Sequence, residues 1–257
     1  MIDQLWLIGL GFAAGILGSM IGLGGGIVVV PVLTFFGFPP TLAASNSLFA
    51  AFSNAIGSTL SYSRQKRIDY SLGLKLGLLS VPGTVLGAYI SSDVTPGIFK
   101  ILFGLVLISS AVYIFLRKKI QTREKNLTTM MIVFVVGASF FAGIISSFFG
   151  IGGGTVFVPL MVVGLGMTMK RAAPTSQFIL LFASLSGIIT HSILGHPDFI
   201  QAGLLAAGAF FGGIIGARIS LDIKERYLQI LVSVIIIIAA FKLFFDSAAE
   251  NLFLIGG

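Results

Sequence analysis

Residues 22–31 read GLGGGIVVVP and residues 150–159 read GIGGGTVFVP, so seven of ten positions recur at a spacing of 128 residues (22 to 150). A second pair follows in the same order: 87–93 reads GAYISSD and 216–222 reads GARISLD, matching at five of seven positions. Two anchors in one order indicate duplication of a half-molecule. The two copies are placed at residues 1–125 and 126–257 of a single membrane domain.

Each glycine triplet, Gly24-Gly25-Gly26 and Gly152-Gly153-Gly154, lies inside an apolar stretch and is followed by Pro31 or Pro159. As one helix, the stretch 5–36 would extend about 48 Å and the stretch 128–168 about 60 Å, against a hydrocarbon core of about 30 Å. Glycine costs a helix about 1 kcal/mol per residue. Both stretches are therefore predicted to break at their triplets, each re-entering or crossing twice.

The rest of the chain defines its solvent. Of 257 residues 56% are hydrophobic and 10% charged, with mean hydropathy +1.05, whereas a soluble domain carries about 25% charged residues. Further apolar segments fall at 41–62, 72–91, 98–116, 172–194, 199–221 and 227–245. Val232 to Ala240 is apolar except for Ser233, unlike the alternating strands of a porin. The expected fold is an all-α polytopic protein of the cell membrane. The N-terminal MIDQLW has no cationic n-region and reads as the start of the first membrane segment.

The cations decide the topology. Arg64, Lys66 and Arg67; Arg117, Lys118, Lys119, Arg123 and Lys125; Lys170 and Arg171; and Lys224 and Arg226 occupy short connections, which the positive-inside rule puts in the cytoplasm. The same bias accounts for the net charge of +7 without nucleic acid. The connections at 38–40, 91–95 and 191–198 carry no Lys or Arg and belong opposite. Eight simple crossings place the last two cationic loops on the wrong side. Two broken segments that each return to their starting side place all of them correctly. Each half then holds a glycine-broken or re-entrant helix plus three spanning helices, and the halves are inverted repeats.

The two GxGGG elements with their Val-rich runs and prolines, and the GA-x-I-S-x-D elements, resemble the TauE/SafE sulfite exporter family over the whole chain. That resemblance implies a transporter of a small sulfur-containing or organic anion such as sulfite, a sulfonate or sulfoacetate.

The residues suggest how such a solute is held. A short helix beginning at Gly26 or Gly154 would present free N–H groups and a positive dipole end to an anion; close helix packing is the other use of such glycines. Thr155 follows the second triplet. The next segment of each half opens with polar residues, Ser45, Asn46 and Ser47 in one and Thr175, Ser176 and Gln177 in the other. Asn46 shares a helix face with Asn54, and Ser176 with Ser184. Neutral amides and hydroxyls bind an oxyanion and still release it; interhelical hydrogen bonding is the alternative. Arg218 either attracts the anion or neutralises Asp222. His191 and His196 are expected to be solvated in a polar connection rather than to hold a metal.

Enzyme chemistry is not expected. The chain has no Cys, no HExxH motif and no acidic residue placed near the bilayer midplane, so nucleophilic, metal and intramembrane carboxylate mechanisms lack their groups. No cofactor is expected. The partners are a small anion and the lipid bilayer. A secondary carrier or facilitator is the leading reading, with an anion channel or a non-transporting assembly protein as alternatives.

Overall fold

A computed structural model describes residues 4–116 and 129–221, together with Val234, Ile237 and Phe241. The cationic segment 117–125, the pair Lys224 and Arg226, Asp222 and the bulk of the segment 227–245 lie outside the described residues. Among those described, the elements are α1 (Trp6–Ile21), α2 (Gly26–Phe35), α3 (Pro40–Arg64), α4 (Tyr70–Asp93), α5 (Pro96–Leu116), α6 (Thr129–Phe149), α7 (Gly154–Pro159) with a π-helical turn at Leu160–Gly164, α8 (Met169–Ile193) and α9 (Phe199–Ile219).

The chain is built for lipid. α4, α8 and α9 are each long and apolar enough to span a membrane. Phe134 is 64% exposed and Phe141 63%, while Asn46, Asn54 and Gln177 are fully buried. Water would drive the reverse distribution. α3 and α8 carry most of the buried polar side chains.

Both long segments break at their glycines. α1 ends with the Gly22 and Leu23 N–H groups donating to the Gly18 carbonyl, and α6 ends with Ile151 donating to Ser146. Gly24 and Gly152 then take φ of +77° and +74°, where a side chain is strained. The first break forms a hairpin that returns to its starting side, since the Trp6 and Phe36 rings meet at 4.9 Å. With 16 residues α1 rises about 24 Å and with 10 residues α2 about 15 Å, both short of a full crossing. The second hairpin differs: α7 has only six residues, and after Pro159 the chain widens into the π turn, with Leu165 N–H on the Leu160 carbonyl at 3.2 Å.

Small residues let the helices meet backbone to backbone. In α9, Gly208, Gly212 and Gly216 press on the Ile8, Phe12 and Ile16 carbonyls of α1, so these helices run in the same direction. In α4, Gly83 and Gly87 press on the Phe140 and Ile144 carbonyls of α6. Phe12 and Phe140, like Ile16 and Ile144, are 128 residues apart, and Gly83 and Gly212, like Gly87 and Gly216, are 129 apart. The same contact is thus made twice, with the halves exchanging roles. α3 and α8 meet in opposite directions, Leu48 beside Gly187 and Ser58 beside Gln177.

The connections sort by charge. Arg67 Nε donates to the Lys170 carbonyl at 2.8 Å, its Nη1 to Ser220 Oγ at 3.2 Å, and Gln65 Nε2 to the Ala217 carbonyl at 3.1 Å. The described cationic loops and the C-terminal end of α9 therefore share one end of the bundle. At the other, Ser92 meets His196 at 3.2 Å and Asn46 accepts from the Asp198 N–H at 3.0 Å. The Lys/Arg-free connections gather there.

Candidate functional site

The two hairpin tips meet. A methyl on Gly26 would overlap the Gly150 carbonyl oxygen, and one on Gly154 would overlap that of Gly22. α3 and α8 clasp the tips by equivalent bonds: Ser47 Oγ donates to the Gly150 carbonyl at 2.9 Å and Ser176 Oγ to the Gly22 carbonyl at 2.7 Å. Gly24 and Gly152 both pack on the Leu180 side chain. Gly25 and Gly153 form the starts of α2 and α7, with φ of −70° and +80°, so the two turns are not identical.

A carboxamide cluster stands beside this junction. Gln177 Nε2 donates to the Gly18 carbonyl at 2.9 Å, and its Oε1 accepts from Ser58 Oγ at 3.3 Å and Asn54 Nδ2 at 3.5 Å. Ser58 Oγ also lies 2.7 Å from the Asn54 carbonyl. Several buried polar atoms here lack a partner among the described residues: Asn54 Oδ1 and the hydroxyls of Ser146, Ser147, Thr155 and Ser184. These four hydroxyls belong to the second half; a fifth, that of Thr59, lies on α3 in the first. At the positions corresponding to Ser146, Thr155 and Ser184 the first half has Gly18, Ile27 and Ala55.

The remaining sequence-predicted residues lie elsewhere. Asn46 is occupied at the start of α9, accepting from Asp198 N–H and donating to Gln201 Oε1 at 3.1 Å. Thr175 does the equivalent at the start of α4, accepting from Asp69 N–H at 3.0 Å. Asn46 is thus separated from Asn54, which joins the Gln177 cluster. Ser45 Oγ donates to the Leu42 carbonyl of its own helix at 3.0 Å. Arg218 is exposed in the last turn of α9, at the cationic end.

The expectation of two solvated histidines fails for His191, which is fully buried in the last turn of α8. Its Nε2 stands 3.1 Å from the Ser147 carbonyl and its Nδ1 2.8 Å from His196 Nδ1. Partial burial lowers the pKa of His196, in the connection, below its usual 6.5. The residue at the corresponding place in the first half, 129 positions earlier, is Tyr62, whose hydroxyl donates to the Ser19 carbonyl at 2.8 Å. Extending the repeat spacing through residues 62 and 191 would have disclosed this pair.

Among the described residues no group of three or more His, Cys, Asp or Glu side chains is placed to hold a metal ion. What the arrangement offers is neutral hydrogen bonding around a close backbone junction.

Similarity to known proteins agrees. The family model described as sulfite exporter TauE/SafE matches residues 7–243. The chain is 31% identical to "Probable membrane transporter protein YunE" of Bacillus subtilis, over 93% of this chain and 97% of that protein. It is 30% identical to "Probable membrane transporter protein MJ0441" of Methanocaldococcus jannaschii, over 90% and 91% of the two chains, and 22% identical to "Probable membrane transporter protein YfcA" of Escherichia coli. No solved structure matches the chain. With a broken-helix bundle, a buried polar junction and a family match across nearly its full length, this multi-pass membrane protein belongs to the TauE/SafE transporter family.

Proposed function

We propose that the chain is a secondary carrier or facilitator for a small sulfur-containing or organic anion, of the size of sulfite, a sulfonate or sulfoacetate, and that it works by parting the two glycine hairpins. The observation that carries this reading is the tip junction: two broken segments meet backbone to backbone, flanked by Asn54, Gln177 and unpartnered buried hydroxyls. Irregular backbone at membrane depth is tolerated where it is enclosed by protein or lines a solute path. As the hairpins separate, the first-turn N–H groups of α2, with Thr155 and Gln177, face the gap and bind an oxyanion without a fixed positive charge. Weak, neutral binding favours release as well as capture.

The halves, 1–125 and 126–257, act as inverted repeats, each contributing a re-entrant hairpin and three spanning helices. The antiparallel meeting of α3 with α8 and the exchanged α1–α9 and α6–α4 contacts support this. The cationic end faces the cytoplasm. Alternating access then follows from exposing the junction first to one end and then to the other.

Counterflow into proteoliposomes tests the proposal with sulfite, sulfoacetate, other sulfonates and carboxylates in turn. Internal anion should accelerate uptake of the preferred species, and Asn54→Ala and Gln177→Ala should each weaken it by about 10-fold, the value of one lost hydrogen bond to a charged group. Unitary currents without trans-stimulation would identify a channel instead, and absence of any anion flux would leave only an assembly role.

A further inference from the structure

We propose that His191, His196 and Ser92 form a proton-binding site at the Lys/Arg-free end, tied through the Ser147 carbonyl to the neck of the second hairpin. The geometry fixes the protons. A carbonyl accepts only, so His191 Nε2, 3.1 Å from the Ser147 oxygen, carries a hydrogen. Neutral His191 then offers a lone pair at Nδ1. The facing His196 Nδ1, 2.8 Å away, must carry the bridging hydrogen, because two lone pairs or two N–H groups at that distance repel. This leaves His196 Nε2 as the open acceptor, 3.2 Å from Ser92 Oγ on the exposed end of α4.

An added proton fits without breaking a bond. It binds at His196 Nε2, which then donates to Ser92 Oγ. The Ser92 hydrogen turns to the Ala88 carbonyl, 3.3 Å from Ser92 Oγ. The bridging hydrogen stays on His196 Nδ1, so the charge rests on the partly exposed ring and the fully buried His191 senses it through the shared hydrogen bond. The site thus takes one proton per chain, and His191 links it to the Ser147 carbonyl, three residues before Gly150, where the hairpin begins. Partial burial shifts uptake below the usual histidine range.

The charged groups around the pair do not neutralise an added proton. At this end α4 contributes Asp93 and Tyr89, α5 contributes Lys100, and the start of α9 contributes Asp198, whose carboxylate accepts from the Ile200 and Gln201 N–H groups at 3.0 and 3.1 Å. The charged side chains of α3 and α8, Arg64, Lys170 and Arg171, lie at the opposite end. Among the described residues α1, α6 and α7 carry none.

The test needs no transported anion, so its failure is distinct from failure of the transport proposal. The chain has two histidines, and a tag-free sample labelled with 15N-histidine in lipid nanodiscs reports both rings as pH falls from about 8 to about 4. The expected result is uptake of one proton in a single step sensed by both rings, with His191 Nε2 protonated throughout. Ser92→Ala, an exposed change that leaves the fold intact, should lower proton affinity by about threefold or more. Two independent titrations with ordinary histidine midpoints, no titration at either ring, or stoichiometric Zn2+ binding between the rings would each overturn the proposal.

Discussion

The turn that leads from α3 into α4 and the one from α8 into α9 are one structure with two chemistries. In each, an aromatic or imidazole side chain in the last turn of the helix grips a carbonyl beside a hairpin neck: Tyr62 on Ser19, His191 on Ser147. Lys66 and Gly195 hold the same place, with φ of +54° and +72°. Asp69 and Asp198 then cap the following helices through Leu72 and through Ile200 and Gln201. Where the first turn has Arg67, its guanidinium 5.2 Å from the Tyr62 ring centroid, the second has His196. One grip is fixed by a permanent cation, and the other stands on a group that titrates. The duplicated scaffold conserves backbone geometry, while the residues laid on it make one end of the molecule responsive to protons.

The largest expected effect breaks both halves equally. Gly26→Ala and Gly154→Ala each drive a methyl into the opposing tip, costing about 1–3 kcal/mol from overpacking. Both should lower thermal stability in detergent and abolish anion counterflow, whereas Gly203→Ala, with open space around it inside α9, should lower neither. A severe loss from one tip variant and none from the other would refute the paired junction.

The two grips come next. Tyr62→Phe and His191→Phe each remove a donor from a buried carbonyl and should destabilise the protein by about 1–3 kcal/mol, read as a lower melting temperature. The two ends should part company when pH is varied. His196 has a folded pKa below its unfolded value of about 6.5, so its neutral form is favoured by folding. Its contribution is full above that value and declines as pH falls through the folded pKa. Melting temperature should therefore drop on acidification below pH 6.5, and His196→Asn should flatten that part of the profile. The smallest effect concerns the shared turn: Lys66→Gly should stabilise, and Gly195→Ala destabilise, each by about 1 kcal/mol, because only glycine takes the left-handed conformation without cost.

Much of this architecture was legible in the sequence. The over-long apolar stretches and their glycine triplets foretold the breaks at Gly22–Gly25 and Gly150–Gly153, and loop charge foretold which connections share an end. The polar site was less legible, because Asn46 and Asn54 have the same composition and periodicity but different neighbours: the start of α9 claims the first and Gln177 the second. The unpartnered Ser146 and Ser147 were hidden in an apolar run, since their exposure to the junction depends on how the second hairpin folds back. His191 and its polar neighbours mark a connection in the sequence, but α8 continues through Ile193 and carries His191 into the interior.

The most direct measurement locks a tip in place. Ala51 Cβ on α3 lies 3.3 Å from the position a Gly152 Cβ would occupy, within reach of a disulfide after slight adjustment, and the chain has no cysteine of its own. Sulfite counterflow is measured for Ala51→Cys/Gly152→Cys, oxidised and reduced, beside the two single variants. A side chain at Gly152 carries its own strain, so flux is compared within each variant: separation of the hairpins predicts that oxidation stops the flux the reduced double variant retains and that reduction restores it, while neither treatment changes the flux of the single variants. Full transport by the completely oxidised protein would contradict the account.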